Sequence, residues 1–139
     1  MNAFTQPFAP PSTAQPPFGM PADVVLDIPV PPSVNRTRRI DRSALRKVHG
    51  WEGAADSALM ASGQYREAKA NAPAAAFRLA IILDEKQCRL DPDNIIKHAV
   101  DYLRRLELIR DDSPKYFRGL RVYWGHAPAG CRLILRGAE

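Results

Sequence analysis

The sequence predicts an α+β fold: a small single domain of element order β-α-β-α-β-β, with a mixed sheet packed on helices. Three observations predict it. Short apolar or β-branched runs occupy residues 23–30, 74–84, 117–125 and 131–137. An alanine-rich stretch at 42–71 and a periodic one at 92–108 separate the first three of those runs. The chain has 139 residues, a length typical of one domain, and its 45% hydrophobic content supplies a modest core.

The elements follow in order. Residues 1–22 hold six of the 13 prolines and no charged side chain, and show no period of strand or helix. They read as a disordered, Pro-rich tail ahead of a domain at 23–139, although Phe4, Phe8 and Phe18 are also groups that a partner surface accepts. Residues 23–30, DVVLDIPV, alternate as a strand does, and Pro29 places the strand at an edge or ends it. PPSVNRTRR then reads as a loop. Residues 42–71 read as helix, with Gly50, Gly53 and Gly63 as places where it breaks. The run AAAFRLAIILD, 74–84, reads as a buried strand. Residues 92–108 give the clearest helix, with Asp91 as its N-cap and Pro92 at its first position. Ile96, Ala99, Leu103 and Leu106 mark its core face, and Arg104 and Arg105 suit the negative end of its dipole. FRGLRVYWG and CRLILRG, joined by HAPAG, read as two strands of a hairpin.

Composition narrows the function classes. A net charge of +5 favours a polyanionic partner. Cys88 and Cys131 lack CxxC spacing and read as reduced structural thiols, and His49, His98 and His126 make no zinc pattern with them. No run approaches about 18 consecutive apolar residues, so no membrane segment is expected. The N-terminus lacks a signal-peptide pattern, which makes the cytoplasm the expected compartment.

The chemistry-bearing stretch is LDPDNIIKHAVDYLRRLELIRDD, residues 90–112. At about 100° per residue, Asp93, Lys97, Asp101 and Arg104 share one side of the helix, away from the apolar stripe. Two readings stand side by side. Asp91-Pro92-Asp93-Asn94 is a helix start and Asp111-Asp112-Ser113-Pro114 is a turn, with no chemistry implied. Alternatively, Asp91, Asp93 and Asp112 hold Mg²⁺, a hard cation that takes carboxylate oxygens, and Lys97 offsets charge on a phosphate. The second reading needs a return of the chain, because Asp111 and Asp112 follow a helix roughly 25 Å long. An EF-hand is excluded, since its glycine and terminal glutamate positions hold Ile96 and Tyr102.

The pattern DPDNIIKHAVDYL followed by IRDD resembles the signature of the RusA family of Holliday-junction resolvases, and IPVPPSVNR resembles that family's N-terminal element. The resemblance spans about residues 24–136. It implies a homodimeric, structure-selective endodeoxyribonuclease that acts in DNA recombination and repair. Such an enzyme nicks four-way DNA junctions in pairs with Mg²⁺, or with Mn²⁺ in its place. It also implies a bacterial source, often a phage or prophage. By motif position Asp91, Asp93 and Asp112 are the implied metal-binding catalytic carboxylates and Lys97 the implied catalytic lysine. Asn94, Asp101 and Asp111 are implied supports. The sequence departs from the family after the acidic pair, where Ser113-Pro114-Lys115-Tyr116 stands in place of a glutamine and a β-branched residue.

Residues 36–47 carry six basic side chains against one acid. Asn35, Arg36, Arg38, Arg39, Arg42 and Lys47 are the candidate DNA contacts, of the sequence-independent kind that phosphates accept. Arg118, Arg121, Arg132 and Arg136 extend that surface or face solvent. Tyr123 and Trp124 read as core or dimer interface, and His98 as structural. The alternative function is a non-catalytic protein that binds branched DNA.

Overall fold

The structure is a computed structural model that describes residues 23–32, 42–73, 75–89 and 92–138. The tail at 1–22, Asn35, Arg36, Arg38, Arg39 and Asp91 lie outside the described residues. The described elements are β1 (Val24–Ile28), α1 (Arg42–Ser62), α2 (Gln64–Asn71), β2 (Phe77–Leu83), α3 (Asp93–Arg105), β3 (Phe117–Trp124) and β4 (Cys131–Gly137). The fold is α+β, and its one refinement of the expected order is a helix split in two. Gly63 makes the split by taking φ +79°, a left-handed conformation that glycine adopts without a Cβ clash. Gly50 and Gly53 remain inside α1, so two of the three expected breaks are absent.

The four strands form one mixed sheet in the order β1-β4-β2-β3. β1 and β2 both flank β4 antiparallel, while β3 runs parallel to β2. The hairpin expected between residues 117–125 and 131–137 is therefore corrected: β2 lies between those strands. Its sequence gives the reason. β2 buries six of its seven residues, on both faces, and a strand of that kind belongs inside a sheet with two neighbours. The β3–β4 connection accordingly crosses the end of β2, spanning two inter-strand steps of about 4.8 Å each. Gly125 N–H donates to Leu83 O at 2.9 Å and Asp84 N–H to Gly130 O at 3.0 Å, which ties the crossing down. Gly130 has φ +111°, and a Cβ there would lie 2.8 Å from Val30 Cγ2, so both the turn and the packing require glycine.

The helices cover one face of the sheet. Trp51, Ala55 and Leu59 of α1, Ala68 of α2, and Ile95, Ala99, Tyr102 and Leu103 of α3 close over Leu26, Phe77, Leu79, Ile81 and Leu133. Trp51 Nε1–H donates to Pro29 O at 2.8 Å and fixes α1 to the exit of β1. Gln64 binds Asp27 twice, accepting from its N–H at 2.7 Å and donating to its carboxylate at 2.8 Å, so α2 caps part of the edge of β1. A smaller cluster of Ala80, Ile82, Tyr123, Ala127 and Ile134 lies on the opposite face.

Candidate functional site

α3 forms because its polar and apolar residues separate cleanly at helical spacing. Ile95, Ala99, Val100, Tyr102 and Leu103 are buried, whereas Asp93, Lys97 and Arg104 are exposed. The helix begins with Pro92 at φ −55° and ψ −38°, dihedrals already helical, and Asp93 sits in the first turn beside the positive end of the dipole. Among the described residues Asp93 makes no hydrogen bond or ion pair. One turn on, Lys97 Nζ lies 3.1 Å from Asp101 Oδ2, an i,i+4 pair with 70% and 42% of the two side chains exposed. Such a pair is worth roughly 0.3–0.5 kcal/mol, so it places Lys97 without locking it.

The helix ends at Arg105, three residues before its expected end at 108. Leu108 N–H donates to Leu103 O and Glu107 N–H to Arg104 O, the paired bonds of a Schellman stop. Glu107 occupies the left-handed position with φ 59°, where glycine is usual, and Leu108 and Ile109 turn into the core. That stop turns the chain back. Asp112 Oδ1 comes 3.8 Å from Arg104 Nη1, on the polar face of α3. Asp112 N–H donates to Asp111 Oδ1 at 2.8 Å, and this bond is the main cause holding the Asp111 carboxyl below the usual carboxylate range.

Asp112 thus meets α3 at Arg104, in the last turn of the helix. Arg104 is eleven residues beyond Asp93, about 16 Å along the axis. Asp93, Lys97, Asp101 and Arg104 line one face, and Asp112 joins that line at the end opposite Asp93. Among the described residues no group of three or more His, Cys, Asp or Glu side chains is placed to hold a metal ion. The Mg²⁺ set that the resemblance implies includes Asp91, which lies outside the described residues.

Behind the polar face lies a network that sequence reasoning missed. Tyr102 O–H donates to Asp56 Oδ1 at 2.7 Å, and Arg105 grips the same carboxylate with two bonds of 3.1 and 3.0 Å. The Arg105 bond is the leading cause that keeps the Asp56 carboxyl below its ordinary value. Burial pushes the Tyr102 phenol up, and burial pushes the His98 imidazole down. A cavity of about 350 Å³ lined by Asp56, Leu59, Met60, Tyr65, Arg105 and Leu106 opens beside this network, at the end of α3 away from Asp93. No sequence signal marks Asp56, because its partners lie 46 and 49 residues away.

Of the candidate DNA contacts, Arg42 and Lys47 are exposed on α1, whose first turn carries no acid. Arg132 and Arg136 are held by Asp27 at 2.7 Å and Asp23 at 2.9 Å, and Arg118 donates to Pro114 O at 2.8 Å. Tyr123 is buried and Trp124 is 47% exposed at the edge of the sheet. Cys88 and Cys131 are buried, with no disulfide between them. No helix among the described residues is long and apolar enough to cross a membrane. In comparison with known proteins, no family model matches the chain, and neither does any curated protein.

Proposed function

We propose that the protein is a metal-dependent endodeoxyribonuclease of the RusA type, which nicks Holliday junctions in pairs as a homodimer during DNA recombination and repair. In this reading it works in a bacterial cytoplasm on chromosomal or phage DNA. The observation that carries it is the exposed line of Asp93, Lys97 and Asp101 on α3, at the signature's spacing, with Asp112 returned to the same face. Lys97 is the cation that a scissile phosphate meets there, and Asp93 is the carboxylate free to act beside it. Arg42 and Lys47 add exposed positive charge on α1, whose first turn carries no acid among the described residues, and a DNA phosphate offsets that charge. Asp91, Asp93 and Asp112 are the proposed holders of Mg²⁺ or Mn²⁺. Asn94, Asp101 and Asp111 are proposed supports, and Asn35, Arg36, Arg38 and Arg39 proposed phosphate contacts.

A second reading has its own observation. The pairing of Asp112 with Arg104, in the last turn of α3 and so at the other end of the helix from Asp93, favours a branched-DNA-binding protein that does not cut. One experiment separates the two. A labelled four-way junction is incubated with the protein and Mg²⁺ or Mn²⁺, beside Asp91→Asn and Asp112→Asn. Paired nicks by the wild type, with variants that bind but do not cut, support the nuclease. Binding without cleavage under either metal supports the second reading, and no binding sinks both. Cleavage that survives both substitutions refutes the site assignment.

A further inference from the structure

The sheet face turned away from the helices carries a charge arrangement that the α3 motif does not explain. Strand alternation puts Arg78 of β2, Arg121 of β3, and Arg132 and Arg136 of β4 on this face, against Asp23 and Asp27 at the β1 edge. The two acids are fully engaged: Asp27 takes two bonds from Arg132, and Asp23 takes two from Arg136. Arg78 and Arg121 are left with no hydrogen bond or ion pair among the described residues.

Their placement brings the two guanidinium groups toward one edge. Arg78 pairs across β2 and β3 with Gly119. A Cβ built on Gly119 would meet Arg78 Cγ, Cδ and Nε at 3.3, 3.4 and 3.5 Å, so the Arg78 stem lies over the space that glycine leaves. The stem therefore reaches from β2 onto β3. Arg121 is two residues beyond Gly119 on the same face, one diagonal step of about 8 Å between Cα atoms from Arg78. Arg136 sits directly across from Arg78 on the other side, but Asp23 holds it, which leaves Arg78 and Arg121 as the uncommitted pair among the described cations of this face. Like charges on neighbouring strands destabilise a sheet, and a bound anion removes that cost. Arginine's planar fork matches phosphate oxygens two at a time, and both side chains are half-exposed, open to a ligand too large to enter a cavity.

We infer, resting on the DNA reading above, that Arg78 and Arg121 form a phosphate-contacting pair for the DNA backbone on the sheet face opposite the helices. The α3 motif and this pair then hold one nucleic acid from two surfaces. Neither belongs to the acidic signature or to the basic stretch at 36–47. The test is binding of a labelled four-way junction and a linear duplex, without metal, over a series of salt concentrations. For Arg78→Gln/Arg121→Gln, with the circular dichroism and melting temperature of the wild type, the slope of log affinity against log salt becomes shallower by about 2. Affinity near 0.1 M salt falls on the order of tenfold to a hundredfold. Each single variant accounts for about half of the slope change, and Arg78→Lys/Arg121→Lys regains most of it. A double variant with the wild-type slope overturns the pair while the DNA reading stands, whether or not its affinity drops. A wild-type protein that binds neither DNA overturns both.

Discussion

The two ends of α3 are built to different standards. At the C-terminal end, Tyr102 and Arg105 share Asp56, Glu52 approaches Arg105 at 3.9 Å, the Trp51 and Tyr102 rings meet at 5.0 Å, and a Schellman stop satisfies the last carbonyls. At the N-terminal end, Pro92 supplies dihedrals but no side-chain cap, and Asp93 stands exposed without a partner among the described residues. The helix is anchored at the end where Asp112 meets Arg104 and left uncommitted at the end that carries Asp93. A carboxylate already saturated with hydrogen bonds gives little to a ligand, so the bare end is the one suited to chemistry.

The comparison breaks most visibly through activity. Under the proposed nuclease reading, Asp93→Asn is expected to lower junction cleavage by at least about a hundredfold, the order associated with loss of one key electrostatic group, while the lost dipole contact costs at most about 1 kcal/mol of stability. Time courses of nicking beside melting curves check both halves. The other end behaves in the opposite way. Tyr102→Ala removes a fully buried ring and is expected to cost about 3–5 kcal/mol in urea unfolding. Tyr102→Phe keeps the ring and loses one hydrogen bond, for about 1 kcal/mol.

Glu107→Gly relieves a left-handed residue and is expected to stabilise the protein by up to about 1 kcal/mol, read from the same denaturant midpoint. Acid acts on the anchored end as well. The folded Asp56 carboxyl is held below its unfolded value, chiefly by the Arg105 bond. Its contribution is therefore complete above the unfolded value of about 4 and is lost as pH falls through the lower folded value. Melting temperatures measured from pH 6 down to pH 2 should show that loss in the wild type, and a smaller one in Asp56→Asn. Smallest of all, Arg104→Gln breaks an exposed pair of 3.8 Å and should shift stability by under about 0.5 kcal/mol.

Much of this contrast was legible in the chain, for identifiable reasons. The α3 period, Pro92 at the start and the acids on one face are local facts, and local spacing reports them. β4 was placed at its observed bounds because CRLILRG alternates and ends at Gly137. The end of α3 was misjudged by three residues, since its left-handed stop carries Glu107 in place of the usual glycine. The hairpin failed because spacing between neighbouring strands says nothing of a third strand that is more apolar than either. The Asp56 network and the sharing of charges on the open sheet face join residues far apart in the chain, which periodicity does not report. Asp112 was expected to need a return, and its meeting point with Arg104 is a property of the stop, not of the motif.

The position of β4 has a consequence for synthesis. This strand joins β1 to β2, yet it is the last described element to leave the ribosome. Until it emerges, β1 lacks its only strand neighbour among the described residues, and β2 lacks one of the two described beside it. The nascent chain must therefore hold the apolar faces of Leu26, Leu79 and Ile81 exposed until translation passes residue 137, so the sheet closes only once its last described strand has emerged, and loss of the seven residues of β4 would leave β1 and one edge of β2 unpaired.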